Sequence, residues 1–265
     1  MNLDQLHPHS GDHSIQNAIL AIEWSNFLDI PKLEEMRAEL LSLIGASYKE
    51  EVQQTVRFNV GVPGANPVPV QELGGYGYSS FIGETSQLDK QIQITRSNCL
   101  FIVSDYKKWD TLIREVQEVF QKILSVPDIF VKSVGLQYSD RFIWQDDLDS
   151  FNATQVFNKN SKYIAKHLFD CDNLWHSHHG YFESIDTPVS AKQLDNINVA
   201  LLEAPNNTTS IEILTSHKCD LDQIMQGNSV LDICIELLNS MHTKNKKILR
   251  ELLTKELQLK IGIQD

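Results

Sequence analysis

The sequence predicts an α+β protein made of two similarly ordered halves, with antiparallel sheets covered by helices. Two observations carry this expectation. Runs alternating between apolar and polar residues recur along the chain, and runs with apolar residues every three or four positions follow them. Each half then reads strand, helix, three strands, helix. The chain has 265 residues, which at about 150 residues per domain fits one large domain or two small ones. With 42% hydrophobic and 22% charged residues it has an ordinary globular composition, which excludes a disordered or collagen-like chain.

Residues 1–13 are polar, with His7, His9 and His13 around Pro8, and are expected to form a flexible arm. The first half then covers 14–128. SIQNAILAIEW (14–24) reads as a strand, and Pro31 opens a helix in which Leu33, Met36, Leu40 and Leu43/Ile44 recur at helical spacing. Proline suits a first turn because its missing N–H had no partner there. Three extended segments follow at 54–62, 73–83 and 90–105, the first two separated by the Gly- and Pro-rich run 61–69. In the second of them, GGYGY marks a bulge or a close strand approach, with Tyr76 and Tyr78 on one face. A helix over 109–126 repeats Leu112, Val116, Val119/Phe120 and Ile123, and Pro127 ends it.

The second half covers 129–265. Over 129–144, Phe130, Val134, Leu136, Tyr138, Phe142 and Trp144 fall on one face of a half-buried strand. The polar run 145–155 is a candidate connection, and a helix is expected over 153–169. Strands follow at 174–185, 193–204 and 209–219, and a long helix starts near Ser229, a suitable N-cap. In the middle strand Ile197, Val199 and Leu201 oppose Asn196 and Asn198. The halves match in element order only, without a residue-by-residue repeat.

No run approaches the roughly 18 apolar residues of a membrane span, and the N-terminus has neither the basic nor the apolar region of a signal peptide. A cytoplasmic protein is expected. Cys99, Cys171, Cys219 and Cys234 form no C-x-x-C pair, so each reads as a small hydrophobe. The sequons at Asn152, Asn206 and Asn207 carry no meaning without secretion.

The segment WHSHHGYFES (175–184) has the most ligand-like side chains. On a strand His176 and His178 share one face while His179 and Glu183 share the other. Two imidazoles on one face begin a metal site, which needs a third ligand; His217 or Asp220 on a neighbouring strand is the candidate. The plain alternative is a solvent-facing or helix-covered sheet surface. His7, His9, Asp12 and His13 are ligands by type, but a solvated tail explains them. His242 falls beside Leu238, Asn245 and Leu249 at the edge of an apolar stripe, where a hydrogen bond fixing helix to sheet is its expected task.

Lys244, Lys247 and Arg250 share one helical face, with Lys246 at its edge. That face is either solvated, complementing the negative end of the helix dipole, or a short nucleic-acid patch. With 35 acidic against 23 basic residues, the net charge of −12 opposes the second reading. Glu34/Glu35 and Asp146/Asp147 read as solvated acidic pairs. The glycines match no nucleotide-binding fingerprint, and no nucleophile elbow or H-E-x-x-H helix is present.

Three segments, SIQNAILAIEW (14–24), SVGLQYSDRF (133–142) and MHTKNKKILRELLTKEL (241–257), together resemble a sporadically distributed family of bacterial proteins of unknown function. Its pattern has a strand–helix N-terminus, a central GLRY-x-[ND] segment and a C-terminal helix with a His and a Leu-Thr. Gln137 stands where that pattern has Arg, so a cationic role there does not carry over. The resemblance draws Tyr138 and His242 into the candidate binding set. It implies no reaction, and its patchy distribution implies a mobile-element or antiviral defence setting.

The leading functional expectation is a non-catalytic recognition or assembly protein that binds a protein partner or ligand, or itself, through His242, Lys244, Lys247, Arg250 and Tyr138. The alternative is a metal-dependent hydrolase on His176 and His178, with His217 or Asp220 completing a divalent metal site. A second alternative is a nucleic-acid sensor using the 244–250 face. No other cofactor is expected.

Overall fold

A computed structural model describes residues 3–11, 13–59, 68–171, 174–204, 208–226 and 230–263. Its strands are β1 Leu6–Pro8, β2 Ile15–Trp24, β3 Lys49–Asn59, β4 Val68–Phe81, β5 Leu88–Thr95, β6 Asn98–Val103, β7 Phe130–Trp144, β8 Trp175–Ile185, β9 Ala191–Ala204 and β10 Thr208–Gln226. The helices are α1 Ile30–Ile44, α2 Trp109–Leu124, α3 Ala153–Val156, α4 Leu231–Leu252 and α5 Lys255–Lys260. The fold is mixed α+β, with a large antiparallel sheet. The expected N-cap Ser229 and the loop 61–67 lie outside the described residues. The chain divides into two compact units that alternate along the sequence, one of residues 1–20, 134–222 and 233–265, the other of 21–133 and 223–232.

In the unit centred on 21–133, which takes in only the last four residues of β2, the strands run in the order β3-β4-β5-β6. Helix α1 starts where Asp29 accepts a hydrogen bond from the Lys32 amide at 2.9 Å, with Pro31 in the first turn. It ends at Gly45, whose φ of 58° favours a residue without Cβ. α1 buries Leu33, Met36 and Leu40 and packs on α2, β4 and β5. The run 90–105, expected as one extended segment, is instead the hairpin β5–β6. Thr95 Oγ1 accepts the amides of Ser97 and Asn98 at 3.2 and 3.1 Å, and this local turn outcompetes continuation of the strand.

The GGYGY segment is both bulged and closely approached. The β3–β4 register shifts between Gln53 and Gln54, leaving Gly74 as the extra residue on β4. Tyr76 and Tyr78 follow with their rings buried. The Tyr78 hydroxyl donates to Glu50 at 3.1 Å, and Arg37 from α1 grips the same carboxylate at 2.7 and 3.0 Å. The Tyr76 hydroxyl donates to Glu34. These contacts fasten α1 to β3 and β4.

In the other unit the order is β7-β10-β9-β8, and β1 pairs with β7. Residues 3–8, expected within a flexible arm, are therefore tied down: Leu6 lies opposite Trp144 and is fully buried, and Leu3 joins the same core. Apolar burial outweighs the polar composition around them. Along β7 the buried residues are Val131 and Ser133 and then, in strict alternation, Val134, Leu136, Tyr138, Asp140, Phe142 and Trp144. Phe130, expected on that face, is only half-buried.

The helix expected over 153–169 shrinks to α3 and a 3₁₀ turn at Lys166–Asp170. Asn158 accepts the Asn160 amide at 3.0 Å and Ser161 accepts the Tyr163 amide at 3.2 Å, so side chains compete with the helix for its donors. Helix α4 supplies Ile248, Leu249 and Leu252 to a core shared with Phe157, Ile197, Val199, Ile211 and Ile213. Among the described residues no helix is long and apolar enough to cross a membrane.

At Gly75 an added Cβ would sit 2.2 Å from the Ile94 carbonyl oxygen, a backbone atom, whereas at Gly77 the nearest neighbour is 3.4 Å away. Gly75→Ala is expected to cost about 2–3 kcal/mol by overpacking and Gly77→Ala well under half of that, as read by urea denaturation. Equal costs would refute the close approach.

Candidate functional site

Residues paired directly across antiparallel strands place their side chains on the same face. On β9, Asp195 pairs with Tyr181 of β8 and His217 of β10, and the adjacent row is Glu183, Gln193 and Cys219. α4 lies over these rows. Asp195 is fully buried and its carboxylate accepts three hydrogen bonds: at Oδ1 from His217 Nδ1 at 2.6 Å and Gln193 Nε2 at 2.7 Å, and at Oδ2 from Lys244 Nζ at 2.6 Å. His217 Nε2 faces Asn245 Oδ1 of α4 at 3.3 Å. Lys244 Nζ also donates to Glu183 at 2.5 Å.

The electrostatics follow from these partners. Burial pushes the Asp195 carboxyl up, but hydrogen bonds from His217, Lys244 and Gln193 outweigh it and hold it below the usual carboxylate range. Burial pushes Lys244 down, and Asp195 and Glu183 outweigh that in turn, leaving the ammonium above its ordinary value. Charge thus runs from the buried Asp195 through Lys244 to the half-exposed Glu183.

Beside Lys244 opens a groove of about 720 Å³ between β8 and α4. Tyr163 and Tyr181 stack on its wall with centroids 6.1 Å apart and planes 20° off parallel. His179 meets both rings, at 5.8 and 5.6 Å, and Lys244 Nζ sits 5.4 Å from the Tyr181 centroid. The charged lining is balanced: Lys162, Lys244 and Lys247 against Glu183, Glu236 and Glu251.

His176 and His178 lie on the opposite face of β8, paired with Ala200 and Asn198, and both are exposed. His217 belongs to the inner face, so the structure does not bring these three histidines together. Both ring nitrogens of His217 are already engaged, and a metal would have to displace Asp195 or Asn245. Asp220 is exposed and pairs with Lys192, whereas His178 shares its row with Asn198 and Leu214, six residues back along β10. Among the described residues no group of three or more His, Cys, Asp or Glu is placed to hold a metal ion. His7 sits in β1 opposite Ile143, and Asp12 lies outside the described residues.

Tyr138 and His242 are brought together: the phenol oxygen and Nδ1 share a hydrogen bond of 2.8 Å in the interior, joining β7 to α4. Burial, then the nearby Lys246 charge, pushes His242 down to about 4. The basic face of α4 is divided. Lys244 and Lys247 line the groove, whereas Arg250 lines a separate pocket at the end of the helix. Burial raises the thiols of Cys99, Cys219 and Cys234 to about 12, which leaves them little thiolate character.

The sequence reading missed Asp195, Gln193, Asn245, Tyr163 and Tyr181. A signal for Asp195 was present, since it has the same strand parity as Ile197, Val199 and Leu201. Comparison with family models, curated proteins and solved structures gives no match to this chain.

Lys244→Met leaves the buried Asp195 charge without its cation and is expected to cost about 3–5 kcal/mol. Adding Asp195→Asn should restore part of that loss. A double-mutant cycle by urea denaturation reads the coupling, and strictly additive costs would show that Lys244 does not balance Asp195.

A second expectation concerns acid. His242, lowered from 6.5 to about 4, contributes stability that is complete above pH 6.5 and lost as pH falls towards 4. Buried Asp140, raised from 3.8 to about 6, contributes stability that is complete below 3.8 and lost as pH rises through 6. Each is worth on the order of 3 kcal/mol, so the two oppose one another between pH 4 and 6. Asp140→Asn should therefore steepen the loss of stability on acidification from pH 6.5 to 4. An unchanged slope would contradict this assignment.

Proposed function

We propose that the protein is a non-catalytic recognition protein that takes a segment of a protein partner into the groove between β8 and α4. The observation that carries this reading is the stacked Tyr163–Tyr181 wall beside a lysine held on both sides by carboxylates. The partly exposed Tyr181 ring, held rigid against the buried Tyr163, is the kind of aromatic anchor that protein interfaces use at low entropic cost. The balanced charges of the lining favour a segment carrying both signs. They disfavour a phosphate backbone, which needs a surplus of cations. Lys244, already committed to Asp195 and Glu183, adds little to a nucleic-acid face.

His217, Asn245, Tyr138 and His242 act in this reading by holding α4 in place. The hydrolase reading draws no support from His176 and His178, which have no third ligand among the described residues. The resemblance to the sporadic bacterial family, its defence or mobile-element setting, a cytoplasmic site of action and a duplicated origin of the two halves belong to this proposal.

The test compares affinity capture from the native host by the full chain and by a Tyr181→Ala, Lys247→Glu variant, with each captured protein then purified and titrated. A partner that binds the variant about thirtyfold more weakly is the expected result. A second copy of the chain counts as such a partner if light scattering shows a dimer that the variant loses. Equal binding by both proteins, or no partner at all, overturns the reading.

A further inference from the structure

Strand β8 ends the strand order of its unit, so one of its edges has no strand beside it among the described residues. Nor does the main chain of 175–185 bond to the backbone of a described loop there. Phe182, Glu183 and Ser184 are exposed in succession although they alternate between faces, which an uncovered edge explains. Proteins usually blunt such an edge with charge or a bulge. β3, the edge strand of the other unit, has both: Lys49, Glu50 and Glu51, and a register shift against β4. In β8 the only Asp, Glu, Lys or Arg is Glu183, the pairing with β9 has no shift, and there is no proline.

The same strand forms one side of the groove. Tyr181, Glu183 and Ile185 line it from alternate positions of β8, and α4 forms its other side. The two elements run in opposite directions. Tyr163, stacked on Tyr181, adjoins Lys162 and so Glu251, whereas Glu183 meets Lys244. Ile185 therefore lies towards Glu236, and Tyr181 towards Lys247. Lys162 is matched by Glu251 and Lys244 by Glu183. Glu236 and Lys247 are exposed and have no ion pair among the described residues. From Glu236 to Lys247 the helix rises about 16 Å, and four residues of a strand span about 14 Å.

We propose that the groove takes its partner segment as an added antiparallel strand on β8, in which a basic residue is followed four positions later by an acidic one. This inference rests on the partner-binding reading of the groove. An added strand satisfies the unpaired amides and carbonyls of the edge, and its alternate side chains turn towards α4. Residues opposite one another across strands share a face. The residue opposite Ile185 thus meets Glu236, and the one opposite Tyr181 meets Lys247. Antiparallel pairing is the more stable ladder, and it puts the basic residue first, because the segment then runs from Ile185 towards Tyr181. A second copy of β8 in full antiparallel register would bring Trp175 and His179 to these positions and leave both charges unmatched.

The test selects displayed random nonapeptides on the full chain and titrates the enriched peptides by fluorescence anisotropy. A Lys or Arg four positions before an Asp or Glu is the expected pattern. Glu236→Lys combined with Lys247→Glu should reverse the order of the two charges, a gain that a misfolded variant cannot show. Lys247→Glu alone should weaken an enriched peptide at least about tenfold. N-methylation of alternate peptide amides should weaken binding at least about tenfold at one parity and leave the other unchanged. Peptides lost with Tyr181→Ala but lacking the charge order, or indifferent to the double exchange, overturn the inference and leave the groove reading standing. Peptides bound equally by Tyr181→Ala, or no enrichment at all, overturn the inference, and the capture experiment decides the groove reading separately. A dimer in light scattering that the peptides dissociate would make a second copy the occupant and overturn the inference.

Discussion

The Asp195 carboxylate has no exposure to water, and the arrangement of β8, β9, β10 and α4 depends on how its charge is met. An ionised carboxylate taken from water loses several kcal/mol of solvation unless donors replace it. Three do so here, and each comes from a different place: Gln193 from the same strand, His217 from the next, Lys244 from the covering helix. A shift of one residue in the β9–β10 register would turn His217 to the other face and strand the charge. A rotation of α4 would withdraw Lys244. The carboxylate therefore selects one register and one helix setting among those that an apolar core would accept.

The Tyr138–His242 hydrogen bond repeats this logic on a different strand. It joins α4 to β7, as Asn245 joins it to β10, so polar contacts to separate strands limit the helix's freedom to slide or roll. Apolar burial by Leu249, Ile248 and Leu252 supplies adhesion but little orientation, since such contacts are non-directional. The wall of the groove is consequently a fixed surface: Tyr181 shares its row with Asp195, and Lys244 stands above it.

Much of the framework was legible in the sequence because periodicity reports burial directly. The α1 and α2 stripes, the alternation in β7 and β9, and the long C-terminal helix all follow from it. Turns written in side chains were less legible. Thr95 folds 90–105 into a hairpin, and Asn158 and Ser161 end α3, by hydrogen bonds that an apolar pattern does not register. The candidate site was misjudged for a related reason. The imidazoles of His176 and His178 drew attention by residue type, yet their parity places them outside. Asp195 and His217 occupy the inward parity of their strands, where a polar residue needs a partner, and strand pairing alone decides that they meet.

The same inward-parity argument separates the two surfaces of α4. Lys244 is drawn inward by a buried carboxylate, and its charge is spent before any ligand arrives. Arg250, six residues on, lines a separate pocket together with Lys159 and Lys255. A basic run that looks continuous on a helical projection thus has two different electrostatic fates. Its first turn serves the protein's own interior, whereas its last turn lines the pocket at the end of the helix.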